Sequence, residues 1–341
     1  MSDIRYDLIH QEYVVIAPER LHRPDCYKIQ QTTPHKTEGC PFCEGHESMT
    51  PLEIYALRSN EPNQKGWKTR VVPNLYKAVQ IEVPCKSLEI GHYEMWEGFG
   101  AHEVIIDTPR HLVRMDIWED EEYFNWLFTL KSRMNDLKND HRLVYFSIFK
   151  NHGHYSAATQ SHPHTQFIAL PVVPKQTIAD MLRAKHFFLE HGHSLFDDVL
   201  SLEREHNNRI IIESDYFIAI CPYASAFAFE VMILSKIKKS TLNDMQDSHL
   251  IELGNMLKKV MKALYRQLGD FDFNLTFNTP PMQKNFATES FFDDTLNIWR
   301  FGLRIIPRLF SIGGFELGSK VFVNPVAPEE SATLLRRSFD D

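Results

Sequence analysis

The sequence has 341 residues, which is enough for two domains or for one large domain made of two similar halves. Apolar residues make up 43% and charged residues 24%, the balance of an ordinary globular protein. The net charge of −8 argues against a nucleic-acid-binding protein, because no excess of Lys and Arg is present to neutralise a phosphate backbone.

No run of 18 apolar residues predicts a membrane span, and the N-terminus lacks the apolar segment of a signal peptide. Among the five cysteines only Cys40 and Cys43 lie close together. This usage predicts a reducing, cytoplasmic location, with one metal-binding pair and three reduced thiols.

The predicted elements form two runs with the same order, which suggests an internal repeat. The first run consists of 70–74, 103–106, a helix from about 119 to 137, 143–149 and 162–171. The second consists of 217–219, 229–234, a helix from about 243 to 267, 273–277 and 299–307. Between them, 175–208 predicts a helix plus a connection, and 331–341 predicts a short helix and a frayed tail.

Two copies of this order predict an α+β protein with mostly antiparallel sheet and packed helices. The boundary falls between an N-terminal half, 1–174, and a C-terminal half, 175–341, with the two sheets either joined or packed together. Only the first half keeps the histidines: where it has His162-Pro163-His164, the second has Trp299-Arg300-Phe301-Gly302. We therefore expect the first half to be catalytic and the second to be degenerate and substrate-shaping.

A metal site is predicted by Cys40-Pro41-Phe42-Cys43, a C-x-x-C motif in which two thiolates can bind one zinc ion. His111 and His162 complete a Cys2His2 set, and His102 competes with His111 for the third place. A redox pair and a pair without metal are the alternatives for this motif.

The strand pattern Ser161-His162-Pro163-His164-Thr165-Gln166 predicts a catalytic site. Alternation along a strand puts residues 162, 164 and 166 on one face. Imidazole is a good nucleophile toward phosphorus, so His164 is the candidate nucleophile, and Gln166 can donate its amide to a phosphate oxygen. Metal ligation of His162 would position His164; the alternative is two buried histidines in a strand.

Phosphate-binding groups are predicted in two further places. The small-residue segment 149–159 can bring backbone N–H groups close to a phosphate. Arg20 and Arg23 are candidate phosphate partners, with a solvated surface as the alternative.

Taken together, these motifs resemble the galactose-1-phosphate uridylyltransferase family of the histidine-triad superfamily, over nearly the whole chain. The resemblance rests on Arg5-x-Asp7, Arg20-x-x-Arg23-Pro24, Cys40-Pro41-Phe42-Cys43-x-Gly45, Arg70-Val71-x-Pro73-Asn74, His102-Glu103-Val104, Pro109-x-His111, Phe149-Lys150-Asn151-x-Gly153, His162-Pro163-His164-x-Gln166, Ile306-Pro307-Arg308-Leu309, Gly314-Phe315-Glu316 and Asn324-Pro325.

The resemblance implies two tandem histidine-triad-like halves, a homodimer and ping-pong nucleotidyl transfer through His164 between a nucleotide sugar and a sugar phosphate. It implies zinc on Cys40, Cys43, His111 and His162. It further implies that Gln166, Asn151 and Thr159 bind phosphate oxygens. Asn74 would lie near the nucleoside, and Glu316 would bind the hexose hydroxyls.

Three departures from the family pattern refine this expectation. Thr159 stands at the position of a serine and keeps the hydroxyl. Arg300, Phe301 and Gly302 stand where relatives carry histidines of a second metal site, so one zinc ion per chain is expected. Leu75 stands where some uridylyltransferases have Asp, and this resembles relatives that act on ADP-glucose.

The default substrates are UDP-glucose and galactose 1-phosphate. An ADP-glucose phosphorylase-type enzyme with phosphate as acceptor, a non-catalytic nucleotide-binding relative and a hydrolase are the alternatives.

Overall fold

The computed structural model describes residues 2–22, 39–282 and 294–339. Its strands are β1 (Asp3–Tyr6), β2 (Tyr13–Ile16), β3 (Tyr55–Arg58), β4 (Trp67–Pro73), β5 (Ser87–Ile90), β6 (Tyr93–Trp96), β7 (Ala101–Ile106), β8 (Tyr145–His152), β9 (His164–Leu170), β10 (Ile210–Glu213), β11 (Phe217–Ile220), β12 (Val231–Ser235), β13 (Phe273–Asn278), β14 (Gly302–Pro307) and β15 (Phe322–Asn324). Its helices are α1 (Asp120–Leu137), α2 (Lys175–His191), α3 (Leu195–His206), α4 (Asp247–Leu268), α5 (Thr295–Ile298), α6 (Gly314–Ser319) and α7 (Pro328–Arg337).

One ten-stranded sheet runs through both halves, in the order β10-β11-β12-β14-β13-β8-β9-β7-β4-β3. Every neighbouring pair in it is antiparallel. The two halves meet where β8 pairs with β13, and the order outward from this seam is equivalent on both sides. The α+β class and the mostly antiparallel sheet are therefore confirmed, and the two predicted sheets are joined.

The first face of this sheet carries the main core, because apolar side chains alternate along its central strands. Phe146 and Ile148 of β8 and Leu303 and Ile305 of β14 all point to this face and are buried. Helices α1 and α4 cover it with residues that include Trp126, Leu130, Leu253 and Leu257. The two helices approach closely at Gly254, where an added Cβ would lie 3.1 Å from Cβ of Tyr123.

The second face differs between the halves, and this difference leaves room for a site. In the C-terminal half, α2 and α3 cover it, packing Met181 and Phe196 against Ile218 and Met232. The helices are separated at Gly192, whose φ of 75° ends α2. In the N-terminal half, the same face carries the half-buried side chains of Gln166 on β9 and Asn151 on β8.

Several boundaries differ from the sequence-based expectation. Strand β8 continues to His152, so Asn151 lies on a strand and not in a loop. Strand β9 begins at His164, so His162 precedes it. Helix α4 begins at Asp247, because 242–244 forms a 3-10 turn whose N-terminal cap is Thr241.

The N-terminal strands join the C-terminal end of the chain in a second sheet, β1-β2-β15, in which β2 and β15 are parallel. The division at 174/175 stays a prediction. No helix in the described part of the chain is both long and apolar enough to cross a membrane.

Candidate metal centre and catalytic site

Cys40, Cys43, His111 and His162 lie together next to the start of β9, with their ligand atoms all within 4.8 Å of one another. Nδ1 of His111 lies 3.3 Å from Sγ of Cys43 and 3.2 Å from Nδ1 of His162. A tetrahedral ion with bonds of about 2.0–2.3 Å holds its ligand atoms about 3.3–3.8 Å apart. The spacing therefore fits one metal ion between these four side chains.

The outer nitrogens of both histidines have partners that fix the rings. Nε2 of His162 donates to the carbonyl of Thr108 at 2.8 Å, which leaves Nδ1 without a proton and free to bind a cation. Nε2 of His111 lies 3.2 Å from Oγ of Ser161. Burial lowers the pKa of His162 to about 3, so the ring is neutral, as a metal ligand must be.

The two thiols favour a cation between them. Burial, together with the neighbouring Cys40, raises the pKa of Cys43 to about 11. A cation between the sulfurs would reverse this effect by stabilising both thiolates. His102, the alternative third ligand, does not belong to this group: its ring contacts Ala78, Asn74 and Gln166.

His164 begins β9 directly after the metal cluster and is 7% exposed. Its Nδ1 lies 2.9 Å from the carbonyl of His162 and donates to it, so the lone pair of the neutral ring is on Nε2. Burial and then the positive charge of Lys150 lower the pKa of His164. Phe42, from the C-x-x-C loop, packs edge-on against the ring at 5.6 Å. His164 is thus held as a neutral ring with a defined tautomer and with the lone pair on Nε2.

Behind His164, a buried ion pair supports the turn into β9. Nζ of Lys150 donates to the carboxylate of Asp107 at 2.6 Å and lies 3.3 Å from the carbonyl of His164. The side chains are 1% and 0% exposed. The backbone N–H of Asp107 also donates to the carbonyl of Pro163. Two contacts thus tie the His162–His164 turn to β7 and β8.

Replacing Lys150 by Met is expected to lower the free energy of unfolding by about 3–5 kcal/mol, because the carboxylate of Asp107 is left buried without its cation. Denaturant unfolding measures the loss, and adding Asp107→Asn should restore much of it. Lys68→Met is the matched control, because Lys68 pairs with Glu121 on the surface and should change stability little. Equal losses in the two single variants would contradict the expectation.

Two predicted phosphate-binding residues, Gln166 and Asn151, and the predicted nucleoside-binding residue Asn74 lie in the N-terminal half near His164. Gln166 follows His164 on the same face of β9, and its backbone pairs with Phe149 in β8. Asn151 lies two residues further along β8. Asn74 follows β4 and lies 3.0 Å from the ring of His102. The three side chains are half-buried. Gln166 and Asn151 lie on the adjacent strands β9 and β8, whereas β7 separates β9 from β4, the strand that Asn74 follows.

The segment before the His162–His164 turn is held by contacts with Asp272 of the C-terminal half. Gly153 has a φ of 85°, and an added Cβ there would lie 1.8 Å from Oδ1 of Asp272. The same carboxylate accepts from the backbone N–H of Tyr155 at 2.6 Å. Thr159 is exposed and lies further along this segment, before the His162–His164 turn.

Two predicted substrate residues lie elsewhere in the chain. Arg20 is exposed in the 3-10 turn Pro18–His22, which follows β2. Glu316 is half-buried in α6, beside β15, and its carboxylate accepts from the N–H of Gly313 at 3.0 Å. Both residues thus lie in segments that directly follow or precede a strand of the three-stranded sheet. Arg23 lies outside the described residues.

Sequence reasoning gave no role in the site to Lys150, Asp107 or Asn274. A signal existed for Lys150, because a charged residue occupies an alternating position that is otherwise apolar along β8. The sequence contained no such signal for Asn274, because its contact with Asn151 depends on the pairing of β13 with β8.

Comparison with known protein families matches both halves. The model of the galactose-1-phosphate uridyl transferase N-terminal domain matches residues 1–174, and that of the C-terminal domain matches residues 180–300. The fold and these matches define the chain as a hexose-1-phosphate nucleotidyltransferase.

The chain belongs to the galactose-1-phosphate uridyl transferase family. It is 31% identical to the ADP-glucose phosphorylase of Arabidopsis thaliana over 98% of this chain and 92% of that protein. It is 28% identical to the galactose-1-phosphate uridylyltransferase of Thermotoga maritima over 99% of both.

Solved structures give the same assignment. The crystal structure of an Arabidopsis thaliana ADP-glucose phosphorylase with bound ADP-glucose superposes with a TM-score of 0.80 at 29% identity, covering 98% of this chain and 99% of that one. A uridylyltransferase structure superposes with a TM-score of 0.75 at 21% identity, covering 100% and 99%, which supports the fold.

Proposed function

We propose that this enzyme transfers a nucleoside monophosphate between a nucleoside-diphosphate hexose and a hexose 1-phosphate through a nucleotidyl-histidine on His164. The observation that carries the proposal is the tautomer of His164, whose Nδ1–H is held by the carbonyl of His162. Such a ring presents an unprotonated Nε2 to phosphorus. UDP-glucose and galactose 1-phosphate are the default pair.

In the first step, Nε2 of His164 attacks the α-phosphorus, the bond to the bridging oxygen breaks and hexose 1-phosphate leaves with the electron pair. The ring becomes cationic in the adduct, and the carbonyl of His162 stabilises it through the retained Nδ1–H. In the second step, an oxygen of the phosphorylated acceptor attacks the same phosphorus and His164 leaves as a neutral ring. Gln166, Asn151 and Thr159 would bind the non-bridging oxygens, and Asn74 would lie near the nucleoside.

We propose one zinc ion per chain, bound by Cys40, Cys43, His111 and His162. Two thiolates and two neutral imidazoles, with ligand atoms all within 4.8 Å of one another, are a donor set that zinc prefers. The ion would supply rigidity rather than Lewis acidity toward the substrate, because all four protein ligands fill its coordination shell. Rigid placement of His162 then fixes the carbonyl that orients His164.

A second candidate reaction is the transfer of AMP from ADP-glucose to phosphate. It is favoured by the 31% identity to an ADP-glucose phosphorylase and by the superposition on that enzyme's structure with bound ADP-glucose. Leu75, which follows Asn74, is 69% exposed and offers no carboxylate to a ribose or base. The chemistry at His164 would be the same, and only the base and the acceptor would change.

We further propose that the enzyme is a cytoplasmic homodimer. Arg20 and Glu316 are attached to the three-stranded sheet, whereas His164 lies on the ten-stranded one. A dimer offers a way to bring predicted substrate residues of one protomer to the site of its partner.

Intact-protein mass spectrometry tests the proposal. After brief incubation without acceptor, the enzyme should gain the mass of UMP from UDP-glucose or of AMP from ADP-glucose. The nucleotide that reacts identifies the base, and release of the adduct by galactose 1-phosphate or by phosphate identifies the acceptor. Metal-replete enzyme that gains neither mass, and releases no nucleoside monophosphate by hydrolysis, would contradict nucleotidyl transfer from both donors.

A further inference from the structure

The orientation of the Gln166 carboxamide is fixed by His102. Nδ1 of His102 accepts from the backbone N–H of Ala78 at 3.1 Å, and a backbone N–H can only donate. In the neutral ring the proton is therefore on Nε2, which lies 2.9 Å from Oε1 of Gln166. His102 donates to that oxygen, so the NH2 group of Gln166 is on the side away from His102.

The Asn74 amide does not compete for this interaction. Its Oδ1 accepts from the N–H of Tyr76 at 2.9 Å, so the group nearest His102 is the NH2. That NH2 cannot donate to a ring nitrogen that already bears a proton. The donor to Gln166 is therefore His102.

The orientation of the Asn151 carboxamide is fixed in the same way, from the other half of the protein. Nη1 of Arg308 donates to Oδ1 of Asn274 at 3.2 Å, and Nδ2 of Asn274 donates to the backbone carbonyl of Ser156 at 3.0 Å. Both partners have a fixed polarity, so Asn274 has one orientation. Its Nδ2 also lies 2.8 Å from Oδ1 of Asn151, which places the NH2 of Asn151 on the opposite side.

We propose that His102 and Asn274 are positioning residues that hold the carboxamides of Gln166 and Asn151 with their NH2 groups toward the phosphate. The inference rests on the proposed function. A carboxamide without such a partner has two orientations of similar energy, and only one offers donors to the non-bridging oxygens. Asn274 gives the C-terminal half a specific role in the catalysis that occurs in the other half.

The sheet contains an internal comparison for the His102 contact. Gln166 pairs with Val104, and Arg304 pairs with Met232 in the equivalent strands of the second half. His102 lies two residues before Val104, and Glu230 lies two residues before Met232, so His102 and Glu230 occupy equivalent positions. Glu230 accepts from Nε of Arg304 at 2.8 Å, so an ion pair occupies the place of the His102–Gln166 contact. Glu230 is therefore a matched control position away from the nucleophile.

The test is the single-turnover rate at which the nucleotidyl-enzyme forms, measured by rapid quench with the donor that labels the wild-type enzyme. His102→Met should lower this rate about tenfold, the effect of one oriented hydrogen bond. His102→Gln should recover most of it, because the glutamine amide keeps a donor near the position of Nε2. In a Gln166→Ala background, His102→Met should have no further effect.

Asn274→Asp provides the second arm, because its carboxylate accepts where Asn274 donates and favours the inverted orientation of Asn151. It should lower the rate about tenfold in the wild-type background and leave it unchanged in Asn151→Ala. Glu230→Gln should leave the rate within about twofold of wild type.

The possible failures are distinguishable. A wild-type enzyme that forms no adduct contradicts the proposed function itself. The positioning roles are overturned if the wild-type enzyme forms the adduct but each substitution slows adduct formation as much without its partner amide as with it. This would apply to His102→Met in the Gln166→Ala background and to Asn274→Asp in the Asn151→Ala background, and it would leave His164 as the nucleophile.

Discussion

Replacing His164 by Asn is expected to abolish the nucleotidyl-enzyme and to lower turnover by about 10³-fold or more, because a carboxamide cannot replace imidazole as the nucleophile that forms the covalent intermediate. Asn is smaller and neutral, and it retains an amide N–H near the carbonyl of His162 that Nδ1 of His164 contacts. The fold and the metal content should therefore persist. Intact mass after incubation with the donor, steady-state turnover and metal analysis measure the three quantities.

His249→Asn is the matched control for this substitution. His249 is 7% exposed, like His164, but it lies in the first turn of α4 in the C-terminal half. This variant should still form the adduct at full stoichiometry. If His164→Asn also gained the mass of the nucleotide, another side chain would be the nucleophile and the mechanism above would be wrong.

Replacing Cys40 by Ser is expected to remove the metal and to lower the melting temperature by on the order of 10 °C, because metal binding contributes directly to the free energy of folding. Serine leaves three good ligands, so the proposed zinc ion should bind with lower affinity. Adduct formation should also slow, since His162 is no longer held and its carbonyl orients His164. Metal content, calorimetry and the adduct rate are measured on the same preparation.

Cys85→Ser controls for the loss of a thiol. Cys85 is half-buried against the main core and lies outside the metal cluster. It should retain full metal content and a melting temperature close to that of the wild type. Full metal content in Cys40→Ser would instead remove Cys40 from the ligand set.

The sequence alone determined those features of the protein that depend on local pattern. The apolar spacing after Glu119 predicted α1, and the period-two alternation after His164 predicted that His164 and Gln166 share a face. The same holds for Cys40 and Cys43, because a C-x-x-C loop brings two thiolates together within a few residues. Repetition of the element order also predicted two related halves.

Tertiary structure decided which distant residues meet. The sequence favoured His111 as the third metal ligand, but it left His102 as a competing candidate. The antiparallel pairing of β7 with β9 separates them, placing His102 beside Gln166 and His111 beside Cys43.

The role of the second half was likewise beyond sequence patterns. Asn274 and Asn151 are 123 residues apart and become partners only through the register of β13 on β8. Long-range register depends on how all strands of the sheet pack together, and no local propensity encodes it. Residue types and spacing therefore predicted the chemistry of this protein, whereas the fold decided which distant residues meet around the predicted site.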